Sequence, residues 1–311
     1  MAIEEKFKER FPKMRQQEPL KNHCTFRVGG PADFFYELHK IEELPPLIIL
    51  AEENTISYRL IGRGTNILFT DKGFRGLIIK NLTKMVSFFG NEIGADSGAL
   101  LAQIIRLAVD NNLSGLEPLY GLPGSIGAAV WGNAGIPETE IGMFVKSATL
   151  FNAADGIREV PGGEIAFDYR STSLQKTKDV VLRVTLQLQK GSAHESKELM
   201  KKIDEIRRGK QPIGYSAGSF FKNPPPEQVH SASSSRSRSA GFLIDQAGLK
   251  GACIGDAQIS EKHANFFINK GHCTALELLE LAAMARKKVK EKFGIDLEME
   301  VKIVGEGSGN L

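Results

Sequence analysis

The stretch Gly115–Gly135, reading GLEPLYGLPGSIGAAVWGNAG, constrains this chain more than any other. It is dense in glycine, alanine and serine, so its backbone can approach a neighbour closely. That neighbour is either a flat, bulky ligand or a sheet on which a helix lies tightly, and the residues alone allow both. Within it, Gly124-Ser-Ile-Gly127 can supply N–H donors at the start of a short helix. A second glycine tract, Gly62-Arg-Gly-Thr-Asn66, lies between two strand candidates, Tyr58–Ile61 and Leu77–Lys80. It is not the dinucleotide fingerprint: the third glycine is missing and a strand rather than a helix follows. Its closely spaced N–H groups still suit an anion nest for a pyrophosphate, although many tight turns look the same. Two such tracts in one domain favour the ligand reading.

Composition narrows the classes. The 311 residues suffice for two domains and a sizeable core. With 41% hydrophobic and 25% charged residues the chain is neither disordered nor membrane-like. The apolar run Leu44–Ala51 holds two prolines and is too short to span a bilayer. The mixed-charge N-terminus shows no secretion signal. Cys24, Cys253 and Cys273 lie far apart without a C-x-x-C, so neither a disulfide framework nor a metal site is expected, and a cytoplasmic location fits. A net charge of +3 is too weak to indicate nucleic acid but suits small anionic ligands if focused in a cleft.

Charge pattern predicts an N-terminal helix over Ala2–Gln17, set apart as residues 1–18. Leu101, Ile104, Ile105 and Ala108 share one face of a helix over Leu100–Asn111, and Val180–Leu188 reads as a strand. The charged helix Ser196–Arg208 is expected to open a second domain, dividing the chain into 19–194 and 195–311. Residues 225–239, low in complexity and nearly free of apolar side chains, read as a flexible loop. Thr274-Ala-Leu-Glu277 is a capping box for a helix ending at Gly294. After it, Leu297, Met299, Val301 and Ile303 alternate with Glu298, Glu300 and Lys302. That charged row is either a solvated face or part of a site.

Tyr215-Ser-Ala-Gly-Ser-Phe-Phe-Lys-Asn-Pro224 combines two aromatic anchors, Phe220 and Phe221, with polar reach from Ser219, Lys222 and Asn223. Such alternation suits a site loop on a rigid scaffold, and equally a β-edge ended by a proline turn.

These segments, taken in order with Thr25-Phe-Arg-Val-Gly-Gly-Pro-Ala32, Tyr169-Arg170, Leu243–Gly251 and Ser260-Glu-Lys-His-Ala-Asn265, make the chain resemble the MurB family of UDP-N-acetylenolpyruvoylglucosamine reductases over nearly its whole length. The length resembles the shorter, type II branch. The resemblance implies an α+β protein: an FAD-binding domain of the vanillyl-alcohol-oxidase type, built of two α/β subdomains, followed by a C-terminal α+β substrate domain. It implies noncovalent FAD held by Arg27, Gly62, Arg63, Gly64, Thr65, Asn66, Gly121, Pro123, Gly124, Ser125, Gly127, Asn133, Ala134 and Gly135. NADPH would reduce the flavin. The reduced flavin N5 would then give hydride to the vinyl CH₂ of UDP-N-acetylglucosamine enolpyruvate, forming UDP-N-acetylmuramate for peptidoglycan.

By the same resemblance Ser219 is the proton donor, Arg170 contacts the substrate carboxylate and Glu300 polarises it. Tyr169, Lys210, Asn223, His263 and Lys302 are implied substrate contacts. A monomer without nucleic-acid or membrane partners is expected. Arg63, Met299 and Asp256 depart from the family's usual small or polar residue, proline and glycine, and none removes a catalytic group. A flavin oxidase of the same fold is the alternative enzyme, and a binding protein without activity is the non-enzyme alternative. The joint presence of Ser219, Arg170 and Glu300 argues against the latter.

Overall fold

The computed structural model describes residues 3–225 and 239–307. The expected flexible loop 225–239 falls, for residues 226–238, outside the described residues. The chain forms two compact units that interleave along the sequence. The first takes in the chain up to Gln16, Phe34–Arg63 and Gly76–Arg207; the second takes in Gln17–Asp33, Gly64–Arg75 and everything from Arg208 on. This differs from the linear division at 194/195.

The first unit has two cores. In one, Tyr58–Ile61 pairs in parallel with Phe74–Asn81, Tyr58 opposite Leu77. The run that is too short to span a membrane is a buried helix here, Leu44–Glu53, with proline in its first turn where the missing N–H costs nothing. Leu44, Leu47, Ile48 and Ala51 pack there with Phe7, Phe11, Leu77 and Ile79. The other core lies on a five-stranded antiparallel sheet, in the order Gly156–Pro161, Val145–Asn152, Val180–Gln187, Glu92–Asp96, Val86–Phe89. Helix Leu101–Asp110 buries the expected Leu101, Ile104, Ile105 and Ala108 in this core, and helix Ile126–Trp131 adds Ile126 and Val130.

Two sequence expectations change. The N-terminal helix covers only Ile3–Arg10, and Arg15–Pro19 is a strand. Pro12 explains the early stop, since the residue before a proline is pushed out of helical geometry. The charged helix is longer than expected, Ala193–Lys210, and through Arg207 it belongs to the first unit. Met200 packs into the five-stranded sheet's core, and the buried Ser196 Oγ donates to Glu117 Oε1 at 2.5 Å.

The second unit is a patchwork of short extended segments around an aromatic cluster. Cys253–Ile254, Ala257–Ile259 and Phe267–Asn269 form a small antiparallel sheet. Tyr215–Phe221 joins it through single bridges, Tyr215 to Asn269 and Ser219 to Phe266, and reaches Met299 through Phe221. Lys302–Val304 pairs in parallel with Ile67–Phe69. The alternation over 297–303 is therefore only partly a ladder strand. Leu297 and Val301 are buried as expected, but the backbone here answers to Phe220 and Lys222, through Glu300 N–H to Phe220 O at 2.9 Å and Lys222 N–H to Glu298 O at 2.8 Å. Helix Ala275–Phe293 has the expected capping box at Thr274/Glu277 and ends on Gly294 at φ 70°. Asp71 accepts two further N–H groups of its first turn, from Ala275 and Leu276.

Phe220 stacks on Phe267 with ring centroids 4.4 Å apart and meets Phe221 at 5.3 Å and Phe26 at 6.2 Å, all four rings being essentially buried. Phe220→Ala is expected to cost about 3–5 kcal/mol. Denaturant unfolding measures this, and a loss under about 1 kcal/mol would show that the cluster does not anchor the segment. Among the described residues, no helix is long and apolar enough to cross a membrane.

Candidate active site

In the first unit, the candidate residues gather on the turn that follows helix Ile126–Trp131. Asn133 is fully buried with φ 45°, and its amide is spent inside the protein. Nδ2 donates to Glu140 Oε2 at 2.6 Å and to Asp168 O at 2.9 Å, while Oδ1 accepts from Gly142 N at 3.2 Å. Its expected cofactor role thus gains no side-chain donor; the amide instead fixes the loop that carries Tyr169 and Arg170. Ala134 is similarly committed, donating to Ala129 O and accepting from Ile141 N. Gly135 admits the strand that returns at Thr139, because a Cβ there would lie 2.5 Å from Thr139 O.

Tyr169 and Arg170 are the two central residues of a hairpin closed by the Asp168–Ser171 pair. Arg170 has φ 53°, a left-handed conformation that turns normally give to glycine or asparagine. Its Nη2 donates to Gly135 O at 2.9 Å, and its guanidinium lies over the Tyr169 ring at 5.1 Å.

The glycine tracts meet inside this unit. A Cβ on Gly62 would lie 2.6 Å from Ser125 Oγ. Ser125 is buried and starts helix Ile126–Trp131 without using its hydroxyl as a cap. The helix start is not the open set of donors that the sequence allows. Ile126 N–H goes to Ala99 O at 2.9 Å and Gly127 N–H to Ser97 O at 2.8 Å. A Cβ on Gly127 would lie 2.5 Å from Ser97 Cβ, so close packing explains this glycine. Gly124 O accepts from Leu101 N at 3.1 Å, Gly124 itself sits at φ 127°, and Pro123 precedes it in the turn. Gly121, at φ 83°, leaves room for Arg207, whose Cδ would lie 2.7 Å from a Cβ there.

Arg63 provides the sign that something is to be bound. Its Nε is buried and has no hydrogen-bond partner among the described residues. A buried donor left unpaired costs on the order of 1–3 kcal/mol, which an anionic or carbonyl oxygen of a ligand would recover. Together with the close-approach glycines on either side of it, this fits the phosphate-bearing, flat shape of FAD.

In the second unit, Ser219, Asn66, Glu300 and Lys302 are brought onto neighbouring backbone. Ser219 is half-buried, and its hydroxyl makes no hydrogen bond to any described residue, while Phe220 N–H on Asn265 O fixes the adjoining backbone at 2.8 Å. Asn66 Nδ2 donates to Glu300 O at 3.1 Å, and Asn66 O accepts from Lys302 N at 3.0 Å. Asn66 therefore ties the glycine loop to the segment bearing Glu300. Gly64 lets that loop lie on His23 O, which a Cβ would meet at 2.2 Å, and Gly64 O accepts from both the N–H and the hydroxyl of Thr25, the residue after Cys24. Thr65 follows within the loop. Burial lowers the Lys302 pKa, with Lys222 adding to the effect and Glu298 and Glu300 opposing it. Lys222 itself pairs with Glu298 at 2.5 Å. The sequence suggested Lys222 only as polar reach, and this ion pair comes from backbone register that alternation cannot supply.

The remaining candidates spread over this unit. Asn223 Oδ1 accepts from Ala240 N at 3.0 Å, Arg27 (φ 57°) lies over the Tyr215 ring at 5.9 Å, and Lys210 is exposed at a helix end. His263 Nδ1 accepts from Asn265 N at 3.2 Å, which requires that nitrogen to be unprotonated. Burial lowers its pKa from the ordinary 6.5, so below 6.5 the unfolded chain takes up a proton before the folded protein does. Stability at this site is therefore full above 6.5 and falls as the pH drops from there toward the lower folded value. His263→Gln is expected to flatten that part of the thermal stability profile, and identical slopes in variant and wild type would contradict it.

The comparisons agree with this geometry. A model of the FAD binding domain matches residues 32–160. A model of the UDP-N-acetylenolpyruvoylglucosamine reductase C-terminal domain matches residues 210–304. The fold is thus that of a flavoenzyme oxidoreductase, an FAD-binding domain with a second domain attached. The UDP-N-acetylenolpyruvoylglucosamine reductase of Clostridium novyi is 40% identical over 293 residues, covering 94% of this chain and 92% of that one. That of Caldanaerobacter subterraneus is 38% identical over 296 residues. The crystal structure of MurB from Thermus caldophilus superposes with a TM-score of 0.77 at 32% identity, covering 94% of this chain and 99% of that one. The chain belongs to the MurB family, the FAD-dependent reductases of peptidoglycan precursor synthesis that draw on NADPH.

Proposed function

We propose that this protein reduces the enolpyruvyl ether of UDP-N-acetylglucosamine enolpyruvate to UDP-N-acetylmuramate, with Ser219 delivering the proton. The observation that carries the assignment is the Ser219 hydroxyl, uncommitted to any described residue on a backbone that buried phenylalanines hold still. Gly62–Asn66, the turns at 121–125 and 133–135, and Arg27 would hold FAD, and the buried Arg63 Nε would offer it a hydrogen-bond donor. Bound there, FAD supplies a hydride from N5 after reduction by NADPH.

The chain's own residues do the rest. Arg170 orients the enolpyruvyl carboxylate through a planar, charge-assisted contact. Addition of hydride to the CH₂ carbon leaves an electron pair on the ether-bearing carbon and its carboxylate. Arg170 and Lys302 stabilise that charge, and Glu300 polarises the carboxylate. Ser219 O–H then transfers its proton to the ether-bearing carbon, completing the lactyl ether, and solvent restores the serine proton. Tyr169, Lys210, Asn223 and His263 contact the rest of the substrate.

FAD is bound noncovalently: loop 62–66 has neither histidine nor cysteine, His23 is paired with Glu18 at 2.7 Å, and burial raises the Cys24 thiol pKa. A nucleotide-sugar substrate, NADPH and three free cysteines support a cytoplasmic location, and a monomer is the state that the family resemblance implies. Turnover in D₂O tests the proton step. Deuterium is expected at the lactyl carbon that bears the ether oxygen. Its absence would exclude a proton from an exchangeable hydroxyl.

A further inference from the structure

Arg170 occupies a position that its residue type disfavours, so something must hold it. It is the second central residue of a two-residue turn, at φ 53°, while Tyr169 does not share the positive φ. That is the sign pattern of a type II turn, whose second position calls for glycine. An L-residue persists there only when its surroundings over-determine the conformation.

Those surroundings come from the turn after helix Ile126–Trp131. Trp131 O accepts from Thr172 Oγ1 at 2.8 Å and from Gln175 Nε2 at 3.0 Å. Asn133 Nδ2 holds Asp168 O at 2.9 Å, and Gly135 O receives the Arg170 guanidinium at 2.9 Å. The bonds of Thr172, Asn133 and Gly135 grip the hairpin beside Arg170 or at the tip of its side chain. The Arg170 main chain is reached from Gln175, whose Nε2 also donates to Arg170 O at 3.3 Å. A primary amide carries two N–H groups, so one side chain can bridge the carbonyls of Trp131 and Arg170.

We propose that Gln175 is a positioning residue for Arg170. Its forked amide links the Arg170 carbonyl to the Trp131 carbonyl, keeps the turn left-handed and so aims the guanidinium. This rests on the assignment of Arg170 to the substrate carboxylate. A misplacement of about 1 Å can cost on the order of a hundredfold in rate, so even partial relaxation of this turn is visible in turnover.

Gln175→Met preserves side-chain length and volume but removes both donors. In the FAD-loaded enzyme it is expected to lower kcat about tenfold or more, with FAD affinity and the KM for NADPH within about twofold of wild type. The same substitution is then made in an Arg170→Gly background, where no guanidinium remains to be aimed, and is expected to change turnover less than about twofold. A Gln175→Met enzyme that turns over at the wild-type rate, or one whose loss is equally large in the Arg170→Gly background, would overturn the proposal. Wild-type turnover by Arg170→Gly alone would instead overturn the assignment of Arg170, and that outcome is distinct from the other two.

Discussion

Replacing Ser219 with alanine is expected to leave NADPH-driven bleaching of the bound flavin within about twofold of wild type and to slow the enolpyruvate-dependent return of colour by a factor of about 10³ or more. The split follows from the place of the hydroxyl. It makes no hydrogen bond to a described residue, so its loss removes no structural tie, and the variant should unfold within about 0.5 kcal/mol of wild type. The bridge to Phe266 and the neighbouring Phe220–Asn265 bond are made by backbone and survive the change. A serine is a weak acid in water. It can serve because the electron pair it meets, on a carbon next to a carboxylate, is strongly basic. Anaerobic rapid mixing with each substrate in turn separates the two phases. If recolouring in Ser219→Ala stays within tenfold of wild type, the proton comes from another group.

Arg170→Gly is expected to separate stability from activity. The left-handed backbone costs a non-glycine residue about 1–2 kcal/mol, which glycine avoids. Glycine loses about 0.5–1 kcal/mol in unfolded-state entropy, and the bond to Gly135 O is worth roughly another 1 kcal/mol. These terms nearly cancel, so the unfolding midpoint should move little. Arg170→Ala keeps the strain and loses the bond, and should be the less stable variant by about 1 kcal/mol. Both should lose a factor of about 10²–10³ in kcat, the usual cost of deleting one group that stabilises developing charge. Equal stability of the two variants would show that the turn is not strained at 170. Wild-type turnover in either would remove Arg170 from the chemistry.

Local rules made some of this legible. The 3.6-residue spacing of Leu101, Ile104, Ile105 and Ala108, the capping box at Thr274 and the anchors Phe220 and Phe221 all appear in the structure as the sequence predicts. The family resemblance rested on motifs in order, and the domain matches and relatives agree with it. What sequence could not show was partnership. The resemblance implies Asn133 as a cofactor contact, yet its side-chain amide is engaged by Glu140, Asp168 and Gly142. Gly127 looks like a phosphate-binding glycine, yet Ser97 takes its N–H. Gln175 carries no motif at all; its relation to Arg170 arises only when helix Ile126–Trp131 and the 168–171 hairpin fold together. The interleaving of the two compact units is equally invisible to a linear reading, because segments as short as Gly64–Arg75 change unit through pairings such as that with Lys302–Val304. Proline was the exception: Pro12 marks the true end of the first helix, where the charge pattern runs on.

The most direct measurement is an anaerobic spectrum of the purified protein loaded with FAD. NADPH is added until the yellow band bleaches, and UDP-N-acetylglucosamine enolpyruvate follows. Prompt return of the yellow colour, with UDP-N-acetylmuramate formed in equal amount, is the expected result. Bleaching without recolouring would contradict the assigned substrate and leave a flavoprotein with another acceptor. No yellow band after FAD is supplied would mean that Arg63 and the glycine tracts serve the fold alone.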